Sequence, residues 1–397
     1  MAVHGNGLDL SGSLLPVARG SPVPGTVESQ SVGRPGIYLD GNHAPGMTAD
    51  LVQLETDHSL NCPARCRATF ANIDASSEGP PGYRYFDLDE VDFGANLAVY
   101  SGVPPNTLYR LFSGRVNLIA AQYPAQAAPL LVIEAEDAFQ QLRRQQRTRS
   151  FEELSDGQVI EQIASEYGLA AQLSLDGPVR DRICQLNQSD FAFIVDRVRA
   201  AGAMMWMEPG TLVVKTASDT PAMPETLEYG ATLRQFEVQA DLREQCTSVG
   251  VAGWDIRTGS PIRQSAGDSV LEPGDSGRSG GRTLEEAFGQ RLHTRILDLP
   301  DSTEEARHLA RGRYRERAGR FVTGSGVAAH LPGLRVGQQL TIQGVGSLFS
   351  GRYLVTRVQH SFDPDNGPGT RFEVRRDRIG RRLKMKRENT DDHSKRP

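Results

Sequence analysis

Glu134 and Glu136 are the first residues whose types and spacing could do chemistry. Side chains two apart in an extended segment share a face, and paired carboxylates can divide acid and base work. The plainer alternative, which we favour, is a solvated strand face. His360, followed by Asp363 and Asp365, has the makings of a dyad or a metal site. A histidine that ends a strand beside an Asp-Pro-Asp-Asn-Gly-Pro-Gly turn is more often structural. Cys62 and Cys66 form a C-x3-C pair, half of a zinc site. A structural zinc needs four ligands, and no second C-x-x-C or H-x3-H pair accompanies them. Ordinary reduced thiols near strands are therefore the preferred reading, and Cys184 and Cys246 each stand alone. Trp206 and the neighbouring Met204, Met205 and Met207 could line a ligand pocket. Methionine fills irregular cores, so packing of a hairpin onto the helices beside it is preferred. There is no nucleophile motif and no glycine loop of the kind that cradles phosphate. The sequence thus assigns no catalytic residue, no metal and no cofactor, and the chain reads as a non-enzyme.

Charge gives the strongest remaining feature. From Arg375 to Pro397 there are ten Lys/Arg against four Asp/Glu, a local net of +6 in a chain of net −5, which leaves −11 for residues 1–374. Such a tail is usually just solvated. The other reading is contact with an acidic neighbouring subunit through Arg381, Arg382, Lys384, Lys386 and Arg387.

The elements that must position these residues follow from periodicity. Residues 1–34 are rich in Gly, Ser, Pro and Val without period and read as a flexible arm. Over residues 35–137 short apolar runs alternate with turn signals, the pattern of an antiparallel sheet or barrel. Residues 138–216 change period. Ser155-x-x-Gln158 is a capping box, followed at helical spacing by Val159, Ile160, Ile163 and Tyr167, with Gly168 where a C-terminal cap belongs. Phe191, Ile194, Val195 and Val198 form a second apolar stripe, ended by Gly202. Pro209-Gly210 suits the centre of a type II turn between two apolar runs, which makes a hairpin. Residues 217–378 return to strand periodicity as a second β-rich half, with a Gly/Ser/Asp-rich loop near 259–283 expected to be disordered. A helix over about 303–318 opens at Ser302-x-x-Glu305 and ends in arginines, as the helix dipole favours. Residues 379–397 are the basic tail.

One internal echo stands out. Leu111-Phe112-Ser113-Gly114-Arg115 recurs letter for letter as Leu348-Phe349-Ser350-Gly351-Arg352. It suggests a turn whose glycine begins a strand, used at equivalent places in two similar barrels; the alternative is a common turn sequence that occurs twice.

Composition bounds the rest. A chain of 397 residues is long enough for two or three domains, and 41 glycines with 23 prolines favour turns and short strands over long helices. The net charge gives no reason to expect nucleic-acid binding, and no apolar run approaches membrane-spanning length. The N-terminus lacks a basic n-region, and Leu14-Leu15 runs straight into Pro16, so it is not a good signal peptide. Synthesis and folding in the cytoplasm are expected.

From Leu131 to Lys215 the chain resembles the phage late control protein D family, which includes tail hubs, and the hub portion of VgrG-type spikes. The carrying motifs are Glu136-Asp137-Ala138-Phe139-Gln140-Gln141-Leu142, the Ser155–Gly168 helix, and Gln188-Ser189-Asp190-Phe191-Ala192-Phe193-Ile194 with its Ala201-Gly202 ending and Met-rich hairpin. Val251-Ala252-Gly253-Trp254-Asp255 and the stretch Phe349–His360 extend the likeness to about residues 35–378. The resemblance implies a mainly β fold with an α/β insert, in which two tail-tube-like β-barrels flank a small α/β domain. It further implies a homotrimer whose ring adapts a sixfold inner tube to a threefold spike in a contractile, phage-tail-like injection machine. The partners so implied are the inner tube protein, a spike protein and other baseplate components. VgrG-type chains continue into a further barrel and a repetitive β-helical needle, and no such repeats follow here, so the spike is expected on a separate polypeptide. The particle is expected to assemble in the cytoplasm and to leave as a virion or released particle. The rival reading is a tail-associated cell-wall hydrolase or a carbohydrate-binding β-protein.

Overall fold

A computed structural model describes residues 33–74, 82–86, 90–103, 107–175, 177–255, 258–271, 277–295, 300–328 and 330–380. The first β-rich part contains β1 (Gly36–Leu39), β2 (Asn42–His43), helix α1 (Pro45–Asp50), β3 (Leu51–Ser59), β4 (Arg65–Ala71), β5 (Asn96–Val103), β6 (Thr107–Gln122) and β7 (Leu130–Glu136). β7 is paired on one side with β4 and on the other with β6, which explains why its sequence is a nearly continuous apolar run. These strands wrap around a core that includes Ile37, Leu54, Phe70, Val99, Phe112 and Ile133. α1 fills the gap between β1 and β3. Arg34 fastens it there by donating to the carbonyls of Thr48, Ala49 and Leu51.

The insert comprises α2 (Phe139–Arg143), β8 (Gln146–Leu154), α3 (Asp156–Glu166), β9 (Ala170–Leu173), β10 (Arg180–Ser189), α4 (Asp190–Ala200), β11 (Met204–Glu208) and β12 (Thr211–Lys215). Ser155 caps α3 with a complete capping box, Ser189 caps α4, and Val159, Ile160, Ile163, Ile194 and Val198 meet in one core. β11 and β12 form the expected hairpin, with Gly210 at φ +70 in the turn position that favours glycine.

The second β-rich part begins with β13 (Ala222–Glu228) and β14 (Leu233–Ala240). A lobe follows, made of β15 (Ser248–Asp255), β16 (Ser260–Gly267), β17 (Gly277–Ser279), α5 (Gly280–Phe288), β18 (Leu292–Arg295) and α6 (Thr303–Ala318). The remainder is β19 (Val322–Ala328), β20 (Gln339–Gln343), α7 (Gly346–Phe349), β21 (Gly351–Asp363), β22 (Gly367–Arg376) and β23 (Arg378–Gly380). Six strands, in the order β14-β19-β22-β21-β20-β13, surround a core with Leu233, Phe321, Leu340, Tyr353, Val358 and Phe372. A turn fastened by the Tyr229–Leu233 bridge brings β13 back to β14. The chain is therefore mainly β with an α/β insert, and each β-rich part encloses its own core.

Three expectations change. The segment near 259–283 is not a disordered loop over its described length. β16 pairs along its whole length with β15, and Ile262 and Ala266 point into the lobe's core. Asp268 accepts hydrogen bonds from Tyr314 and Ser279, so polar residues that suggested disorder are partners of buried groups. The Leu-Phe-Ser-Gly-Arg echo does not mark equivalent positions. The first copy lies in the middle of β6, whereas the second runs from the end of α7 into β21. Trp206 does not pack onto the insert's helices. Alternation along the hairpin sends Met205, Leu212 and Val214 into the insert but Trp206 and Val213 into the core of the second β-rich part. Residues 1–32 of the expected arm and 381–397 of the tail lie outside the described residues. Among the described residues no helix is long and apolar enough to cross a membrane.

Candidate functional site

The two β-rich parts are not separate sheets. β21 pairs antiparallel with β3, from Arg357 opposite Ser59 to Phe362 opposite Leu54, and this seam joins the seven strands of the first part and the six around the second core into one 13-stranded sheet. Arg357 crosses it with Nε and Nη2 donating to the two carboxylate oxygens of Asp57 at 2.9 and 2.6 Å, while Nη1 reaches Glu373 at 3.1 Å. Both carboxylates raise the guanidinium's pKa still further, so it stays charged.

Beside the seam the first β-rich part, the insert's hairpin and the 334–338 loop enclose a cavity of about 610 Å³. Arg335 enters it and donates to the Arg110 carbonyl at 3.3 Å. His58 donates from Nε2 to the Leu111 carbonyl at 3.0 Å, and its ring lies 5.9 Å from that of His360. Burial and then the Arg335 charge hold His58 down to about 4, against weaker opposing effects of Asp57 and the Leu111 carbonyl. Burial pushes His360 well below the ordinary histidine range, helped by His58, Arg335 and His330. Both rings are therefore neutral at pH 7. An unfolded histidine takes up its proton near 6.5 and folded His58 only near 4, so stability is present above the first value and lost as the pH falls through that window. At about 1.4 kcal/mol per unit, this ring alone accounts for roughly 3 kcal/mol. Urea unfolding between these pH values is expected to show that decline, and His58→Gln to flatten it.

The flagged residues do not assemble into a catalytic centre. Glu134 pairs with Arg67, and Glu136 is held by Arg65 and Arg143. Glu136 is only 9% exposed, so the solvated strand face is right for Glu134 and wrong for its neighbour. The next residue, Asp137, is the unusual one. Burial raises it to about 7, even though the amides of Ala64 and Phe139 both donate to it. Its place at the join of β7 and α2 gives it a fastening role, and nothing in the sequence spacing singled it out. His360 is 1% exposed and turned inward. Asp363 instead accepts from the backbone of Asp365 and Asn366 in the turn beyond, in keeping with the structural reading preferred over a dyad. Cys62 is exposed while Cys66 is buried in the first core, and burial pushes the Cys66 thiol up. No three His, Cys, Asp or Glu side chains among the described residues are grouped to hold a metal. Arg381, Arg382, Lys384, Lys386 and Arg387 lie outside the described residues.

The insert and the lobe form the other composite feature, which sequence spacing did not reveal. Arg180 of β10 lies between Asp156 of α3, at 3.1 Å, and Glu305 of α6, at 2.9 Å, and all three side chains are nearly inaccessible. Beside this network α4 and α6 touch backbone to backbone. A Cβ on Gly312 would fall on the Ala200 carbonyl oxygen and within 2.6 Å of the Ala201 carbonyl carbon.

Comparison with known proteins agrees with the architecture. The family model described as the Alg8 N-terminal domain matches residues 47–363. No curated protein matches the sequence. Among solved structures, the 43 kDa tail protein of prophage MuSo2 from Shewanella oneidensis is similar, with a TM-score of 0.64 at 13% identity, over 87% of this chain and 99% of that one. A tail protein from Neisseria meningitidis MC58 gives 0.62 at 10% identity, over 88% and 98%. The E. coli c3393 protein, a type VI secretion component with structural similarity to the T4 tail proteins gp27 and gp5, gives 0.54 at 14%, over 87% and 79%. At these identities the likeness is one of fold.

Proposed function

Because the chain belongs to the family of the Alg8 N-terminal domain and shares its fold with phage-tail and type VI secretion proteins, we propose that it is the structural baseplate hub of a contractile, phage-tail-like injection machine. The observation that carries this reading is the seam. Two β-rich bodies with separate cores share one sheet through β3 and β21. Three such chains in a closed ring present six β bodies, which suits a sixfold inner tube on one face and a threefold spike on the other. The partners are then two further copies of the chain, the inner tube protein, a separate spike protein and neighbouring baseplate components. The particle assembles in the cytoplasm and is released with its contents, and the basic residues Arg381, Arg382, Lys384, Lys386 and Arg387 contact an acidic subunit. The role is mechanical and not catalytic: Glu134 and Glu136, the carboxylates a hydrolase would have used, are engaged with arginines.

Native mass spectrometry of the chain with its tube and spike proteins is expected to give three copies per complex. A stable dimer under those conditions would overturn the ring. Loss of a peptidoglycan-cleaving activity in Glu134→Gln particles that assemble normally would favour the hydrolase.

A further inference from the structure

On the other side of the seam from the histidines lies an open cleft of about 700 Å³ between the ends of α4 and α6, β21, β22 and β23. Among the described residues, eight arginines and three carboxylates line it. The carboxylates are already engaged: Glu316 with Arg320, Glu373 with Arg357, and Asp377 with Arg378. Arg315 donates to the backbone carbonyl of Val270, which satisfies a hydrogen bond without cancelling charge, and Arg376 donates to the carbonyls of Ser350 and Leu348. Arg199 and Arg375 have no carboxylate in ion-pair contact among the described residues. Burial and the neighbouring Arg320 pull the Arg375 guanidinium down to about 10, with Glu316 opposing. A concave surface with this surplus of fixed guanidinium groups is built to receive negative charge, and arginine forks match carboxylates in pairs.

We propose that this cleft is a docking site for an acidic polypeptide segment of a partner protein. A single small anion would leave most of the surplus uncompensated. Single-stranded nucleic acid is the less suitable polyanion, since no aromatic side chain among the described residues lines the cleft for bases to stack on. Gly380 forms part of the wall, and the seventeen residues that follow it in the sequence are rich in Lys and Arg. The proposal does not rest on the hub reading.

The test uses the full chain and a fluorescent oligoglutamate peptide, followed by anisotropy. Binding is expected at low salt and should weaken as salt rises. Arg199→Glu with Arg352→Glu reverses two exposed cleft residues and is expected to weaken binding about tenfold or more, with the parent's far-UV circular dichroism retained. Arg182→Glu, at an exposed arginine of the insert's β10 that does not line the cleft, serves as the control and is expected to bind as the parent does. Removal of residues 381–397 is expected to slow association while the cleft variant still weakens what remains. Equal binding by parent and cleft variant would overturn the proposal. So would equal weakening by the control, or tighter binding of single- or double-stranded DNA than of the peptide.

Discussion

Gly312→Ala is expected to destabilise the protein by about 3 kcal/mol or more, although alanine is the better helix former by about 1 kcal/mol. The steric effect wins because Gly312 sits where α6 meets the end of α4 backbone to backbone. Its added Cβ would collide with the Ala200 carbonyl and lie 2.8 Å from the Gly202 nitrogen. A flexible side chain could swing aside, but these atoms belong to a helix end held by bonds from Ala201, Gly202 and Ala203 to the carbonyls of Arg197, Arg199 and Val198. The two helices must part, and with them the insert and the lobe. Hydrogen exchange in the variant is expected to rise first in α4 and α6, while the seam between β3 and β21 stays protected. Unchanged stability in urea would show that the contact is looser than the backbone positions imply.

Arg180→Ala is expected to cost about 3–5 kcal/mol, because it strands the buried Glu305 without a counter-charge and leaves Asp156 only the more distant Arg197, at 3.9 Å. Arg180, Asp156 and Glu305 have side chains 8%, 2% and 7% exposed, so water cannot take the arginine's place without opening the joint. The deficit should shrink as the pH falls, since protonation neutralises the stranded acids. Burial already pushes Glu305 up, and Arg180 is the main group opposing it. In the triple variant Arg180→Met, Asp156→Asn, Glu305→Gln much of the loss is expected to return. A deficit that stayed constant across the pH range would assign the effect to lost packing instead of lost charge.

How much of this was legible in the sequence depended on the range of the interactions. Local rules worked where a local hydrogen bond decides the outcome. The Ser155–Gln158 box, the Ser302 cap and the Pro209-Gly210 turn lie where spacing put them. They failed where burial comes from distant parts of the chain. Glu136 looked like a surface carboxylate because strand periodicity cannot show that Arg143, seven residues later, folds back across it. The segment near 259–283 looked disordered because its polar residues find buried partners such as Tyr314, 46 residues beyond Asp268. Trp206 shows the same limit at the hairpin, since alternation gives two faces but not which body each one meets. The arginines of the cleft are spread from Arg199 to Arg378 and form no pattern along the chain. The change of period and back marked two β-rich halves around an α/β segment, and the resemblance to tail hubs agreed with that reading.

The seam also sets the order in which the protein can be made. β3 emerges well before its partner β21, which lies about three hundred residues downstream, the Asp57–Arg357 pair being separated by 300 positions. Until that strand arrives, β3 is an open edge with unsatisfied amides and carbonyls, and the first core lacks the Phe362 ring. Contacts of such long range make folding slow and leave a template for pairing with other chains in the interval. The nascent first half therefore waits, incomplete and adhesive, while about three hundred further residues are translated, and a ribosome that stops before β21 releases a product with a strand edge exposed.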